Sequence, residues 1–72
     1  MGFDYSSLAD KIVNVCKTHA TFAKKLGIST RSESLKMNNK REWKPSEIVK
    51  SCDILDIPYS DIPFYFFTPK VQ

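Results

Sequence analysis

The chain has 72 residues, 42% of them apolar and 26% charged, with a net charge of +3. That is the composition of one small globular domain rather than a disordered segment, and a chain this short buries only a thin core. No apolar run reaches membrane-spanning length, the opening residues lack the basic–apolar–small pattern of a secretory signal, and one histidine with two cysteines and no CxxC gives no zinc site.

Strand signals are weak, and helical spacing recurs along the chain. Leu8, Ile12 and Val15 stand at i, i+4, i+7, with Ala9, Val13 and Cys16 beside them, so a first helix is predicted from about Tyr5 to Lys17. Asp4 or Ser6 can cap it by accepting a backbone N–H. Thr18 caps a short second helix, His19 to Leu26, whose apolar positions are Phe22, Ala23 and Leu26. Gly27 follows where a chain leaving a helix often turns to positive φ, which glycine adopts without a Cβ clash. Ser29 then caps a third helix, about Thr30 to Asn38.

Pro45 suits the first turn of a fourth helix, where its missing N–H costs nothing, and Ile48, Val49, Cys52 and Leu55 form its apolar stripe. Ile57-Pro58 ends it. Ser60 or Asp61 is placed to cap a short fifth helix carrying Ile62 and the Phe64-Tyr65-Phe66-Phe67 run, and residues 68–72 read as an extended tail. The expectation is an all-α domain of five short helices over residues 1–67, with a compact helix-turn-helix unit within it.

The stretch HATFAKKLGIS carries the functional signal. Two helices cross closely only where a small residue lies between them, and Ala23 supplies it. Gly27 makes the tight turn and Ile28 plugs the angle. Such a motif, spanning about residues 19–39, holds its second helix proud of the surface, where it can enter a major groove. The plain alternative is an ordinary helical hairpin. Charge is unevenly spread: residues 17–44 carry eight basic side chains against two acids, and residues 45–72 carry two against four. A basic middle suits a polyanion or an acidic protein partner.

The segments FDYSSLADKI, TFAKKLGIS, SLKMNNKREW, SEIVKSCDILDIP and YFFTPKVQ resemble the small Cro-like regulators of temperate phages of Gram-positive bacteria, most of all the modulator-of-repression proteins of lactococcal phages. The resemblance covers nearly the whole chain. It implies a role in the choice between lysis and lysogeny, in the cytoplasm of a bacterial host. The implied partner is a CI-type maintenance repressor, whose operator binding is altered or blocked by the complex. The alternative is a Cro-like dimer that reads operator DNA itself with residues 30–38; a weak or joint contact with operator DNA is compatible with either.

The third helix bears on that choice. For a DNA reader, Thr30, Arg31, Ser34 and Lys36 could contact bases or phosphates, flanked by Lys24, Lys25, Lys40 and Arg41 as backbone anchors. His19 is expected as an exposed polar residue within reach of a phosphate. Two features favour a protein partner. Glu33 stands where the resemblance leads one to expect an inward apolar residue: buried it needs a partner, and turned outward it repels phosphate. Leu35 and Met37 lie about 200° apart around a helix and cannot share one core, so one is expected on display, unless flanking loops part-cover both. The candidate interface is therefore Thr30, Arg31, Glu33, Ser34, Leu35, Lys36, Met37, Lys40 and Arg41, with His19, Lys24 and Lys25 as anchors for phosphate or an acidic surface.

Phe22, Trp43 and Phe66 are expected in the core, and at least one of the four consecutive aromatics should face outward. Cys16 and Cys52 fall on apolar helix faces and read as buried thiols in a reducing compartment. No nucleophile–base pairing, glycine-rich loop or paired-carboxylate cleft suggests catalysis, a cofactor or a small-molecule substrate.

Overall fold

The computed structural model describes residues 2–70. Five α-helices follow one another: α1 Ser6–Cys16, α2 His19–Leu26, α3 Thr30–Met37, α4 Pro45–Leu55 and α5 Ile62–Phe66, the last entered through a 3-10 turn at Tyr59–Asp61. Among the described residues the sole β feature is an isolated bridge between Phe3 and Pro69. The helix starts follow the capping chemistry. Asp4 Oδ1 accepts from the Ser6 amide at 2.9 Å, Thr18 Oγ1 from the Thr21 amide at 3.1 Å, and Ser29 Oγ from the Ser32 amide at 3.0 Å. At α4 the Lys44 amide donates to Glu47 Oε1 at 2.9 Å, with Pro45 in the first turn. Neither Ser60 nor Asp61 caps α5 through its side chain; Pro63 in the first turn removes one of the amides that would need it.

Gly27 has φ 86°, and the Gly27 and Ile28 amides both return to the Ala23 carbonyl, at 2.9 and 3.0 Å. This ends α2 and turns the chain into α3 within three residues. The core gathers Leu8, Ile12 and Cys16 of α1, Phe22 and Leu26 of α2, Ile48, Cys52 and Leu55 of α4, then Ile57 and Phe66. On α1 the inward stripe is Tyr5-Leu8-Ile12-Cys16, not the Leu8-Ile12-Val15 series; Val13 and Val15 are exposed. The reason is that α1 packs against α2, α4 and α5 together, which centres its stripe on the Cys16 side. Phe22 and Phe66 are fully buried, Trp43 is partly buried against the core, and Phe64 and Phe67 face outward. Both cysteines are free and buried, and burial together with neighbouring Asp53 pushes the Cys52 thiol up.

The chain ends meet. The Asp4 amide donates to the Thr68 carbonyl at 2.7 Å and the Lys70 amide to the Gly2 carbonyl at 3.1 Å. Asn39, itself left-handed at φ 61°, clamps the opening segment: the Phe3 amide donates to Asn39 Oδ1 and Asn39 Nδ2 to the Phe3 carbonyl, both at 2.9 Å. Residues 68–70 are thus extended but stitched to residues 2–4; Val71 and Gln72, the end of the expected tail, lie outside the described residues.

Among the described residues three besides glycine have positive φ: Lys17, Asn39 and Asp56. Asn and Asp tolerate this conformation through local polar contacts, whereas lysine does not. Lys17, at φ 72° and ψ −42°, closes α1 at a backbone geometry rarely held by a residue with a Cβ. Lys17→Gly should relieve about 1 kcal/mol of strain and raise the thermal midpoint by roughly 4–8 °C. An unchanged or lower midpoint in a melting curve would show that the turn is unstrained.

Candidate functional site

The third helix has no fully buried apolar side chain. Its two buried residues are Glu33 and Lys36, 2% and 3% exposed, three positions apart and therefore on one face. Glu33 Oε2 meets His19 Nδ1 at 2.5 Å, joining α3 to the first turn of α2. A carboxylate oxygen accepts, so the imidazole Nδ1–H donates. Lys36 Nζ lies 3.0 Å from Glu47 Oε1, donates to the Glu42 carbonyl at 3.1 Å, and sits 6.0 Å over the centre of the Trp43 ring. One polar pair pins the helix to α2 and another pins it to α4.

Three expectations change here. Glu33 and Lys36 are not on an interface, because they turn inward and are each satisfied by a partner from another helix. His19 is half-buried and occupied by Glu33 rather than standing free as an anion anchor. An unpaired ion at the Glu33 position would be strongly destabilising, so the histidine is what permits a carboxylate there. At Glu47, burial pushes the carboxyl up, but the Lys44 amide and the Lys36 ammonium outweigh it and hold the group below the usual carboxylate range. A depressed carboxyl contributes stability above its unfolded value, and that contribution is lost as pH falls through the folded one.

The opposite side of α3 is accessible. Thr30, Arg31 and Ser34 are exposed, with Asn38 just beyond the helix; Arg31, Ser34 and Asn38 follow at i, i+3, i+7. Of the opposed apolar pair, both are partly covered. Met37 packs against the core, whereas Leu35 stays outside it, beside the Arg31–Ser34–Asn38 stripe. Lys24 and Lys25 are exposed in the last turn of α2. Lys40 and Arg41 are exposed after α3, where the Lys40 amide donates to the Leu35 carbonyl at 2.8 Å and Arg41 Nη1 to Ser32 Oγ at 3.2 Å. Glu33 is the only acid between residues 24 and 41. With it withdrawn, the accessible face around Leu35 is cationic and free of acids.

The model of the family described as "Protein of unknown function (DUF739)" matches residues 1–69. The chain belongs to this family. No curated protein matches it. Among solved structures, this DUF739 protein is similar to the solution structure of the modulator of repression of the temperate bacteriophage TP901-1 from Lactococcus lactis. The identity is 47%, the alignment covers 100% of this chain and 97% of that one, and the TM-score is 0.82. This is the kinship to which the FDYSSLADKI, TFAKKLGIS and YFFTPKVQ segments pointed.

In this DUF739 chain, the residues that sequence reasoning missed are those acting across elements. Glu47 and Trp43 hold Lys36, and Asn39 holds the opening segment, at separations of 11, 7 and 36 residues that a local pattern does not display. The signal that could have found the first two was the absence of an apolar stripe in residues 30–37 of a chain that needed α3 packed. Among the described residues no group of His, Cys, Asp and Glu gathers as metal ligands, and no helix is long and apolar enough to cross a membrane.

Glu33→Ala should cost about 1–3 kcal/mol in urea unfolding, as it empties a buried site and removes the bond from His19. Glu33→Leu, filling the same space without charge, should unfold within about 1 kcal/mol of the parent or above it. Equal losses for the two variants would mean that the pair adds net stability that an apolar side chain in the same space cannot replace.

Proposed function

We propose that the protein is a phage regulator of the switch between lysis and lysogeny that works as an antirepressor in the cytoplasm of its bacterial host. It binds the phage's CI-type maintenance repressor and alters or blocks the repressor's hold on operator DNA. The observation that carries this reading is the end-to-end likeness to a modulator of repression. The proposed contact surface is the outer face of α3, Thr30, Arg31, Ser34 and Leu35, with Lys24, Lys25, Lys40 and Arg41 around it. An apolar residue within a cationic, acid-free rim suits an acidic protein surface better than a groove. The aliphatic side chain supplies desolvated contact, and the rim steers the encounter.

A second reading is a Cro-like dimer that binds operator DNA alone, and the burial of Glu33 favours it by removing the acid that would have faced phosphate. The withdrawal of Lys36 argues the other way. It leaves Arg31 as the one long cationic side chain on α3 able to reach a base.

A gel shift with the protein alone, repressor alone and both together separates the readings. The antirepressor reading expects the repressor–operator band to fade as protein is added, with no specific band from the protein by itself. Co-elution with the repressor on a sizing column should be lost in Leu35→Asp and weakened in Arg31→Glu, while both variants keep the parent's helical circular dichroism. Undiminished complex formation by both would remove the proposed surface. A salt-sensitive specific band from the protein alone, weakened by Arg31→Ala at one base by about 1–3 kcal/mol, would establish the second reading instead.

A further inference from the structure

A cleft of about 470 Å³ opens between residues 2–5, 39–43 and 66–67, lined by no residue of α3 itself. Its floor is aromatic, and one wall is polar, formed by Asn39, Lys40, Arg41 and Glu42. Trp43 stands edge-on to Phe66 at 5.3 Å and to Tyr5 at 6.4 Å, and Phe3 stands edge-on to Phe67 at 5.5 Å. Phe3 and Phe67 are themselves exposed, so the aromatic surface continues out of the cleft onto its rim. In so small a domain, an open apolar surface of this kind marks a contact site.

The polar groups of the cleft divide into satisfied and unsatisfied. Gly2, Phe3 and Asp4 have their facing backbone groups engaged by Lys70, Asn39 and Thr68, so the edge of this segment is not open to an added strand. Trp43 Nε1 differs: it is fully buried and has no hydrogen-bond partner among the described residues. A buried donor without an acceptor is costly and uncommon. Beside it the wall carries Lys40 and Arg41, both exposed, and Lys40 has no ion-pair partner among the described residues.

We propose that this cleft is a second binding site, adjoining the α3 face at Lys40 and Arg41, and that it takes an acidic segment of another protein bearing an apolar side chain. The apolar side chain lies on the floor between Tyr5, Trp43 and Phe66. Lys40 and Arg41 pair with the carboxylates of the segment. Charge complementarity selects the occupant. A second copy of this chain, at net +3, carries the same sign of charge as the Lys40 and Arg41 wall. The wall of the cleft is also the buttress of α3. Glu42 and Trp43 hold Lys36, and Arg41 holds Ser32, so a segment bound here braces the helix from behind.

Trp43 is the only tryptophan, so its indole N–H gives one unambiguous signal. The ¹⁵N-labelled protein is titrated with the acetylated, amidated peptide Asp-Phe-Asp-Leu-Asp-Glu, with its counterpart bearing lysine at every acid, and with a six-nucleotide oligothymidylate. The acidic peptide should shift the Trp43 indole N–H saturably, together with the Phe3 and Phe67 amides. Lys40→Glu and Phe67→Ala should each weaken it about tenfold. Trp43→Phe, which narrows the aromatic floor, should weaken binding as followed at the Phe3 and Phe67 amides, while leaving the other amide signals dispersed. No saturable shift, an equal response to the lysine peptide, tighter binding of the oligonucleotide, or shifts centred on Arg31 and Ser34 would each overturn the proposal.

Discussion

The position of α3 rests on two buried polar pairs, His19 with Glu33 and Lys36 with Glu47. A short helix following a tight turn has to be held against the body of the domain, and an apolar stripe is the usual means. Here the inward positions hold a carboxylate and an ammonium instead, each carried by a partner on a different helix. Taking such groups out of water costs several kcal/mol apiece before the attraction offsets it, so the pairs add little net stability. What they fix is rotation. Turning α3 by even one residue about its axis, about 100°, would leave two ions without partners.

That fixed rotation decides what the surface shows. With Glu33 and Lys36 inside, the outer side presents Arg31, Ser34 and Leu35, and the long cations at its border come from Lys24, Lys25, Lys40 and Arg41. The same residues at their places in the sequence give a helix of mixed charge; the fold sorts them into a neutralised interior and a cationic exterior. The segment after α3 takes part in both. Glu42 and Trp43 support Lys36 from behind, Arg41 reaches forward to Ser32, and Asn39 ties the segment to the start of the chain.

Most of the scaffold was legible in the sequence because its signals are local. Thr18, Ser29 and Pro45 mark helix starts by satisfying or omitting the first amides, and Gly27 marks the turn by adopting positive φ. The stripes of α1 and α4 follow from apolar spacing. Val15 shows the limit: periodicity gives a face about a third of a turn wide, and only the neighbours decide that Cys16 rather than Val15 is its centre. The surface of α3 was misjudged at Glu33, Lys36 and His19 for a related reason. Charged side chains are assigned to solvent unless a partner is known, and the partners here lie 14 and 11 residues away on other helices. Kinship was legible over the whole length, since it depends on the order of residues and not on which way they point.

The central claim is that paired polar groups, and not apolar burial, set the orientation of α3. A double-mutant cycle on His19→Ala and Glu33→Ala, read by urea unfolding at neutral pH, tests it most directly. The two residues should be coupled by about 1–3 kcal/mol, the double variant losing clearly less than the two single losses combined. Losses that add within about 0.5 kcal/mol would contradict the claim, since His19 would then do nothing for the buried carboxylate beside it.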